Sequence, residues 1–365
     1  MFDGLPEYPW EKLKPYREKA ARHPLGLVDL SVGSPVDSTP SIVQEALSAA
    51  VDSPSYPTTW GSIELREAIA AWYSARRNVS GLSVGHVLPT IGSKEFISWL
   101  PVMLGLGPND AVVQPKIAYT AYAVGAAFAR AQLVSEDDPE LWPANTKLIW
   151  LNSPANPHGA VLGTSGLKAA VLKARELGAV IVNDECYAEL GWEGEWDSHI
   201  PCILEDGVTG GNFENVLSIY SLSKQSNLAG YRAAFAAGDP KLIKSIVNLR
   251  MHSGMIVPAP IQSAMISALG DYSHVAAQKA IYRSRREILL TALTKAGFEV
   301  SASEAGLYLW VTNGKDCWST VDELAELGIL SVPGDFYGPA GANHVRFSIT
   351  ATDEDCLRAS KRLSV

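Results

Sequence analysis

The sequence predicts an α/β fold whose larger part holds a mostly parallel sheet, followed by a smaller α+β unit. Three observations lead there. Between about residue 86 and residue 238, short apolar runs alternate with helical stretches, the pattern of strands covered by helices on both faces. Beyond Gly297 the chain changes to short alternating strands around one helix. Small polar and charged residues also collect just after several apolar runs, where open α/β sheets carry ligands.

Taken in order, residues 1–35 mix aromatics and prolines with little periodicity, like an arm laid over another surface. Helical spacing follows over Ser41–Val51 and Ile63–Arg76, with Ser41 and Ser62 available as caps. Strand-like runs are Ala111–Gln114, Gln132–Ser135, Leu148–Leu151, Ala179–Val182, Val216–Tyr220 and Ala233–Ala236. Gly92-Ser93-Lys94 precedes a helix expected over Phe96–Leu104, and Asp239-Pro240 opens another. A long helix over Tyr272–Ala296 is stopped by Gly297. The last strands are Phe298–Ser301, Leu307–Val311, Ile329–Val332 and Val345–Ile349, around a helix at Val321–Leu327. The division expected is an arm (1–40) packing with the small domain, a large domain (41–270) and a small α+β domain (271–365).

Composition narrows the function classes. A net charge of −9 argues against nucleic acid or an anionic membrane as partner, while leaving room for a locally positive cleft. Cys186, Cys202, Cys317 and Cys356 have no metal-ligand spacing, so no metal is expected and free thiols in a reducing compartment are. The start lacks a basic, apolar leader, and no apolar run approaches a membrane span. A cytoplasmic protein is therefore expected. No Gly-x-Gly-x-x-Gly follows a strand, which disfavours a nicotinamide dehydrogenase.

The segment from Ser221 to Arg232 is the most informative. It places two hydroxyls, Lys224 and an arginine at the end of an apolar run. A cofactor with an aldehyde and a phosphate needs an amine for the first, and hydroxyls with a guanidinium for the second. Upstream, Asn152-Ser-Pro-Ala-Asn-Pro-His-Gly159 closes one run, and Asp184 closes another with Tyr187 one turn on. An acid against a pyridine nitrogen keeps that ring an electron acceptor, and Asn156 and Tyr187 are donors suited to its phenolic oxygen. Singly, an Asn-Pro is an ordinary turn and an Asp after a strand an ordinary cap. Their shared position at strand ends carries the reading. His158, in a turn, has no assigned role, and the ten tryptophans are taken as packing residues.

These motifs, in this order over nearly the whole chain, resemble the class I/II aminotransferases of the aspartate-aminotransferase-like fold type I. Tyr56 with Gly61 and Leu65-Arg66, Gly92-Ser-Lys94, Asp-Glu-x-Tyr at 184–187, Ser-x-Ser-Lys at 221–224 and Arg346 all match. More narrowly, the chain is similar to the actinobacterial N-succinyldiaminopimelate aminotransferases. Leu5–Trp10, Val28–Pro35, Tyr56–Thr59, Ser226–Arg232, Val257–Pro260 and Pro333–Gly338 carry that likeness. The resemblance implies pyridoxal 5′-phosphate as cofactor and Lys224 as its catalytic amine. It places Asp184 at the ring nitrogen, expected to stay ionised, with Asn156 and Tyr187 at the ring oxygen. It gives the phosphate to Gly92, Ser93, Lys94, Ser221, Ser223 and Arg232, and the substrate to Gly33, Asn156 and Arg346. Tyr56 would reach the phosphate of a second subunit, implying a homodimer with shared sites. Tyr119 would stack on the ring, although Tyr119-Thr-Ala-Tyr122 lacks the proline of the family's Tyr-Pro-x-Tyr. The implied reaction is a ping-pong transfer between glutamate and N-succinyl-2-amino-6-oxopimelate or its N-acetyl analogue, whose remote end would meet the 31–35 loop and Pro333–Gly338. Another amino/keto acid pair, or carbon–sulfur β-elimination, would use the same cofactor motifs. A DNA-binding regulator built on the fold is disfavoured, because the acidic N-terminal arm is too short for a DNA-binding module.

Overall fold

The computed structural model describes residues 9–364, so residues 5–8 of the Leu5–Trp10 motif lie outside it. Its strands, in chain order, are β1 (Val28–Asp29), β2 (Val87–Ile91), β3 (Ala111–Gln114), β4 (Gln132–Ser135), β5 (Thr146–Asn152), β6 (Val180–Asp184) and β7 (Val216–Ser221). They continue as β8 (Ala233–Gly238), β9 (Glu299–Val300), β10 (Tyr308–Thr312), β11 (Ile329–Leu330), β12 (Val332–Pro333) and β13 (Val345–Ser348).

Seven strands form the large sheet in the order β2-β8-β7-β6-β5-β3-β4. The pairs from β7 to β4 are parallel, whereas β8 is antiparallel to both its neighbours. All residues of β3, β6, β7 and β8 are buried, as an apolar strand covered on both faces requires. β2 has no counterpart among the strand-like runs read from the sequence. Pro89 interrupts its pattern, and proline is tolerated because β2 sits at the sheet edge.

The helices Ile63–Arg76 and Ser273–Lys295 fall where expected. Ser62 caps the first, accepting from Leu65 N at 3.1 Å. Ser41 is not a cap: Pro40 holds that position and Ser41 is the first helical residue. The phosphate-turn helix begins at Ser93 rather than Phe96, so the turn supplies its own first residues. The N-terminal stretch contains a helix, Lys14–Ala21, that its weak periodicity hid. Ile329–Val332, expected as one strand, divides at Ser331 into β11 and β12 of different sheets.

Apolar side chains segregate into cores on the two faces of the large sheet and a third core around the C-terminal segment. That third core takes in Val28 and Leu30 from the N-terminal segment and Cys186, Tyr187, Leu190 and Trp192 from the loop after β6. β1 pairs with β11, joining the start of the chain to its last quarter. The four cysteines are buried and unpaired. Among the described residues, no helix is long and apolar enough to cross a membrane.

Candidate active site

Strand register builds the site. Parallel pairing sets Asn152 opposite Asp184 and Asp184 opposite Ile219, so the ends of β5, β6 and β7 lie side by side. β8 runs the other way: Ala233 pairs with Ile91, and Ala234 with Ser221. Gly92, just after β2, and Arg232, just before β8, therefore meet beside Ser221. These ends open on a cavity of about 350 Å³. Every residue singled out from the sequence lines it except Gly92, which packs behind Arg232, and Tyr56, which is 98% exposed and outside it.

Lys224 closes the turn Leu222–Gln225, and its Nζ donates to the Gly33 carbonyl. Ser221 caps that turn by accepting from Ser223 N at 3.2 Å, with the two hydroxyls 2.8 Å apart. Gly92, at φ +77°, caps the helix Ser93–Met103 without a side-chain bond, leaving the first backbone N–H groups open. A Cβ at Gly92 would land on the Arg232 guanidinium. Only glycine allows the arginine to lie across this helix end, and with the serines it forms a cradle for a compact dianion.

Asp184 is buried. Its Oδ1 accepts from Cys186 N at 3.2 Å and its Oδ2 from the Tyr122 hydroxyl at 3.1 Å. The resemblance implies an ionised state, yet in the protein alone burial outweighs these bonds and pushes the carboxyl above its usual range. A cation against the carboxylate is what would reverse that shift. Beneath the strand end, Arg77 pairs with Glu185 at 3.1 Å, both fully buried, and Glu185 also accepts from Ile203 N at 2.8 Å. The pair fixes the backbone that aims Asp184.

Arg346, 3% exposed, projects from β13. It donates to Asn156 Oδ1 at 3.0 Å and to the Ser31 carbonyl at 2.7 Å, while its buried Nε finds no acceptor among the described residues. An unsatisfied, buried guanidinium edge in the cavity wall fits a carboxylate. Tyr187 lies in a turn after β6 rather than a helix, with its hydroxyl 3.3 Å from that of Tyr308. Burial opposes ionisation of Tyr308, but Arg346 and Lys224 outweigh it and hold that phenol below the usual tyrosine range. Tyr119 is half-buried in the wall, edge-on to Tyr122 with centroids 5.9 Å apart.

The sequence reading missed Trp10, Cys186 and Tyr308 in the wall, and the role of Tyr122 behind it. Tyr308 belongs to an alternating strand, and alternation does not tell a face turned to a core from one turned to a ligand. Phe336 and Tyr337 do come from the Pro333–Gly338 segment expected there.

The profile of the family described as aminotransferase class I and II matches residues 26–363. The chain belongs to this family. Class I and II aminotransferases depend on pyridoxal phosphate, and the residues present fit that group: a lysine, a buried acid, an aromatic wall and the glycine-based anion cradle. The aminotransferase is 50% identical to the 4-dedimethylamino-4-oxo-anhydrotetracycline transaminase OxyQ of Streptomyces rimosus, over 99% of each chain. It is 47% identical to a probable aminotransferase of Mycobacterium tuberculosis, over 99% of this chain and 86% of that one. Among solved structures, a probable N-succinyldiaminopimelate aminotransferase from Thermus thermophilus superposes with a TM-score of 0.87 at 28% identity, covering 97% of this chain and 99% of that one. The fold is the aspartate-aminotransferase-like one.

Proposed function

We propose that this aminotransferase moves an amino group between glutamate and N-succinyl-2-amino-6-oxopimelate. Bound pyridoxal phosphate supplies the electron sink for the substrate's α-carbon. Lys224 provides the amine that carries it, then moves the proton at the α-carbon as base and acid. Asp184 would hold the ring nitrogen, and Tyr119 would stack on the ring. Asn156 spends its carbonyl oxygen on Arg346, which leaves its amide N–H groups, with Tyr187, for the ring oxygen. Ser93 and the backbone N–H groups of the helix end at Ser93 and Lys94 would join Ser221, Ser223 and Arg232 at the phosphate. Arg346 takes the α-carboxylate against Gly33.

The observation that carries the substrate reading is the cation inventory. Four cations line the cavity: Lys224, Arg232, Arg346 and Lys94. The first three have tasks at the amine, phosphate and α-carboxylate. The Lys94 ammonium is exposed at the rim, free for a remote carboxylate of a long polyanionic acceptor. The sequence segments shared with succinyldiaminopimelate enzymes and the likeness to the Thermus thermophilus structure support the same choice. A second reading, a polycyclic oxo compound as acceptor, is favoured by the 50% identity to OxyQ and by the aromatic side of the wall at Trp10, Phe336 and Tyr337.

Initial rates with glutamate as donor test this against succinylated acceptor, 2-oxoglutarate, oxaloacetate, an aromatic keto acid and an oxo-tetracycline. Preference for the succinylated acceptor, lost in Lys94→Ala, is expected. Preference for a short or aromatic keto acid, or for the oxo-tetracycline, overturns the assignment. Ammonia and pyruvate released from an added cysteine thioether would instead indicate a lyase. We also propose a cytoplasmic homodimer in which Tyr56 completes the partner's site, a role suited to its exposure away from its own cavity. An active monomer in sedimentation at assay concentration would sink that. We further propose a division into an arm (1–40), a large domain (41–270) and a small domain (271–365), supported by a core around the C-terminal segment that also takes in Val28 and Leu30 of the arm.

A further inference from the structure

The structure assigns Tyr122 as the residue that positions Asp184 and sets its protonation. Tyr122 is fully buried near the start of the helix Ala121–Ala129, and its hydroxyl donates to Asp184 Oδ2 at 3.1 Å. Its ring stacks on Trp150 with centroids 5.0 Å apart and planes 17° from parallel. The Trp150 indole N–H has no acceptor among the described residues, so the residue contributes its flat face rather than its donor. Against that face the phenol has one orientation, and its O–H points at the carboxylate. Burial, with Asp184 beside it, pushes the Tyr122 phenol well above the usual range, so it stays protonated and can only donate. Cys186 N holds the other oxygen. Two fixed donors on a buried carboxyl favour the anion and leave it one free edge, turned toward the cavity that Asp184 lines. Tyr122 is separated from the cavity by Tyr119 and Asp184, so it acts through the acid and not on the substrate.

The inference rests on the family's cofactor chemistry and is independent of which acceptor is used. Tyr122→Phe keeps the stacking ring and removes the donor. In the loaded protein, the absorbance of the Lys224-bound cofactor followed against pH should titrate about half a unit higher in Tyr122→Phe, because a poorly ionised Asp184 holds less positive charge at the ring nitrogen. Affinity for pyridoxal phosphate, measured by fluorescence titration, should fall about tenfold, and kcat should fall with KM for glutamate unchanged. Tyr122→His, which keeps a ring and a donor, should return the titration toward that of the parent. A Tyr122→Phe protein with the parent's titration curve and cofactor affinity overturns the assignment. If Tyr122→Phe does not fold, the decision passes to Tyr122→His: the parent's curve supports a donor role, and the shifted curve refutes it.

Discussion

The Arg346 guanidinium sits over the Tyr308 ring, its Cζ 3.9 Å from the ring centroid. The ring's negative face neutralises part of the buried charge without occupying an N–H group. Two edges of the guanidinium go to Asn156 and Ser31, and the Nε edge stays unspent. A lysine placed there would keep charge but lose the planar fork. Arg346→Lys is expected to lower kcat/KM for glutamate about a hundredfold, with cofactor absorbance unchanged. Steady-state kinetics of the loaded enzyme decide it.

Tyr308 also determines what Gly33 can be. A Cβ at Gly33 would overlap the Tyr308 ring, which is buried and cannot swing aside. Gly33→Ala should push the 31–34 loop off Lys224 and Arg346, raising KM for carboxylate substrates at least about tenfold. The matching test on the phosphate side is Gly92→Ala, whose methyl displaces Arg232. That variant should lose pyridoxal phosphate on dialysis under conditions where the parent retains it.

Asp184 gives a pH signature. Its folded-state pKa is raised by burial, so without cofactor the folded protein binds that proton more tightly than the unfolded chain. Stability is then full below the ordinary carboxylate value and falls as pH rises through the interval up to the raised one. Melting temperature of the resolved enzyme should decline across that interval, and saturating pyridoxal phosphate should remove the decline. Asp184→Asn should lack the slope altogether. An equal slope in Asp184→Asn would exclude this source.

Breaking the Arg77–Glu185 pair leaves an unmatched buried charge. Glu185→Gln is expected to cost about 3 kcal/mol of stability, read as a fall in denaturant midpoint, and to weaken cofactor retention through the backbone of Asp184.

Lys224→Ala should leave a folded protein that still takes up pyridoxal phosphate through Asp184 and Arg232. Transamination should drop by about four orders of magnitude or more, since amine and proton carrier disappear together. Near-normal turnover would refute the central role of this lysine.

β3, β5, β6, β7 and β8 were legible because strands covered on both faces are mostly apolar, and the acids, amines and amides of the site lie at their ends. The helix Ala259–Gly270 was not, because it is small and apolar on most sides and offers little contrast. Nor was Asp353–Leu363, where six charged residues mask a narrow buried stripe of Cys356, Ala359 and Leu363. Within the site, residues that end a strand could be read from their place, whereas residues that reach it across the fold were read only through the resemblance, as Arg346 and Gly33 were, or were missed. Tyr308 and Trp10 are of the second kind, since only the antiparallel C-terminal sheet and the N-terminal segment bring them there.

The pairing of Val28–Asp29 with Ile329–Leu330 has a consequence for synthesis. The carbonyls that meet Lys224 and Arg346 belong to residues 31–33, immediately after that strand, and Leu30 is held by Ser348 N. A ribosome delivers the first of these segments some three hundred residues before the second. Until Leu330 and Ser348 emerge, the large sheet can form with its lysine facing bulk water and one wall missing. Nascent chains cut before residue 329 should thus be a class of their own, with reactive amines that capture aldehydes indiscriminately, and selectivity arrives with the last stretch of translation.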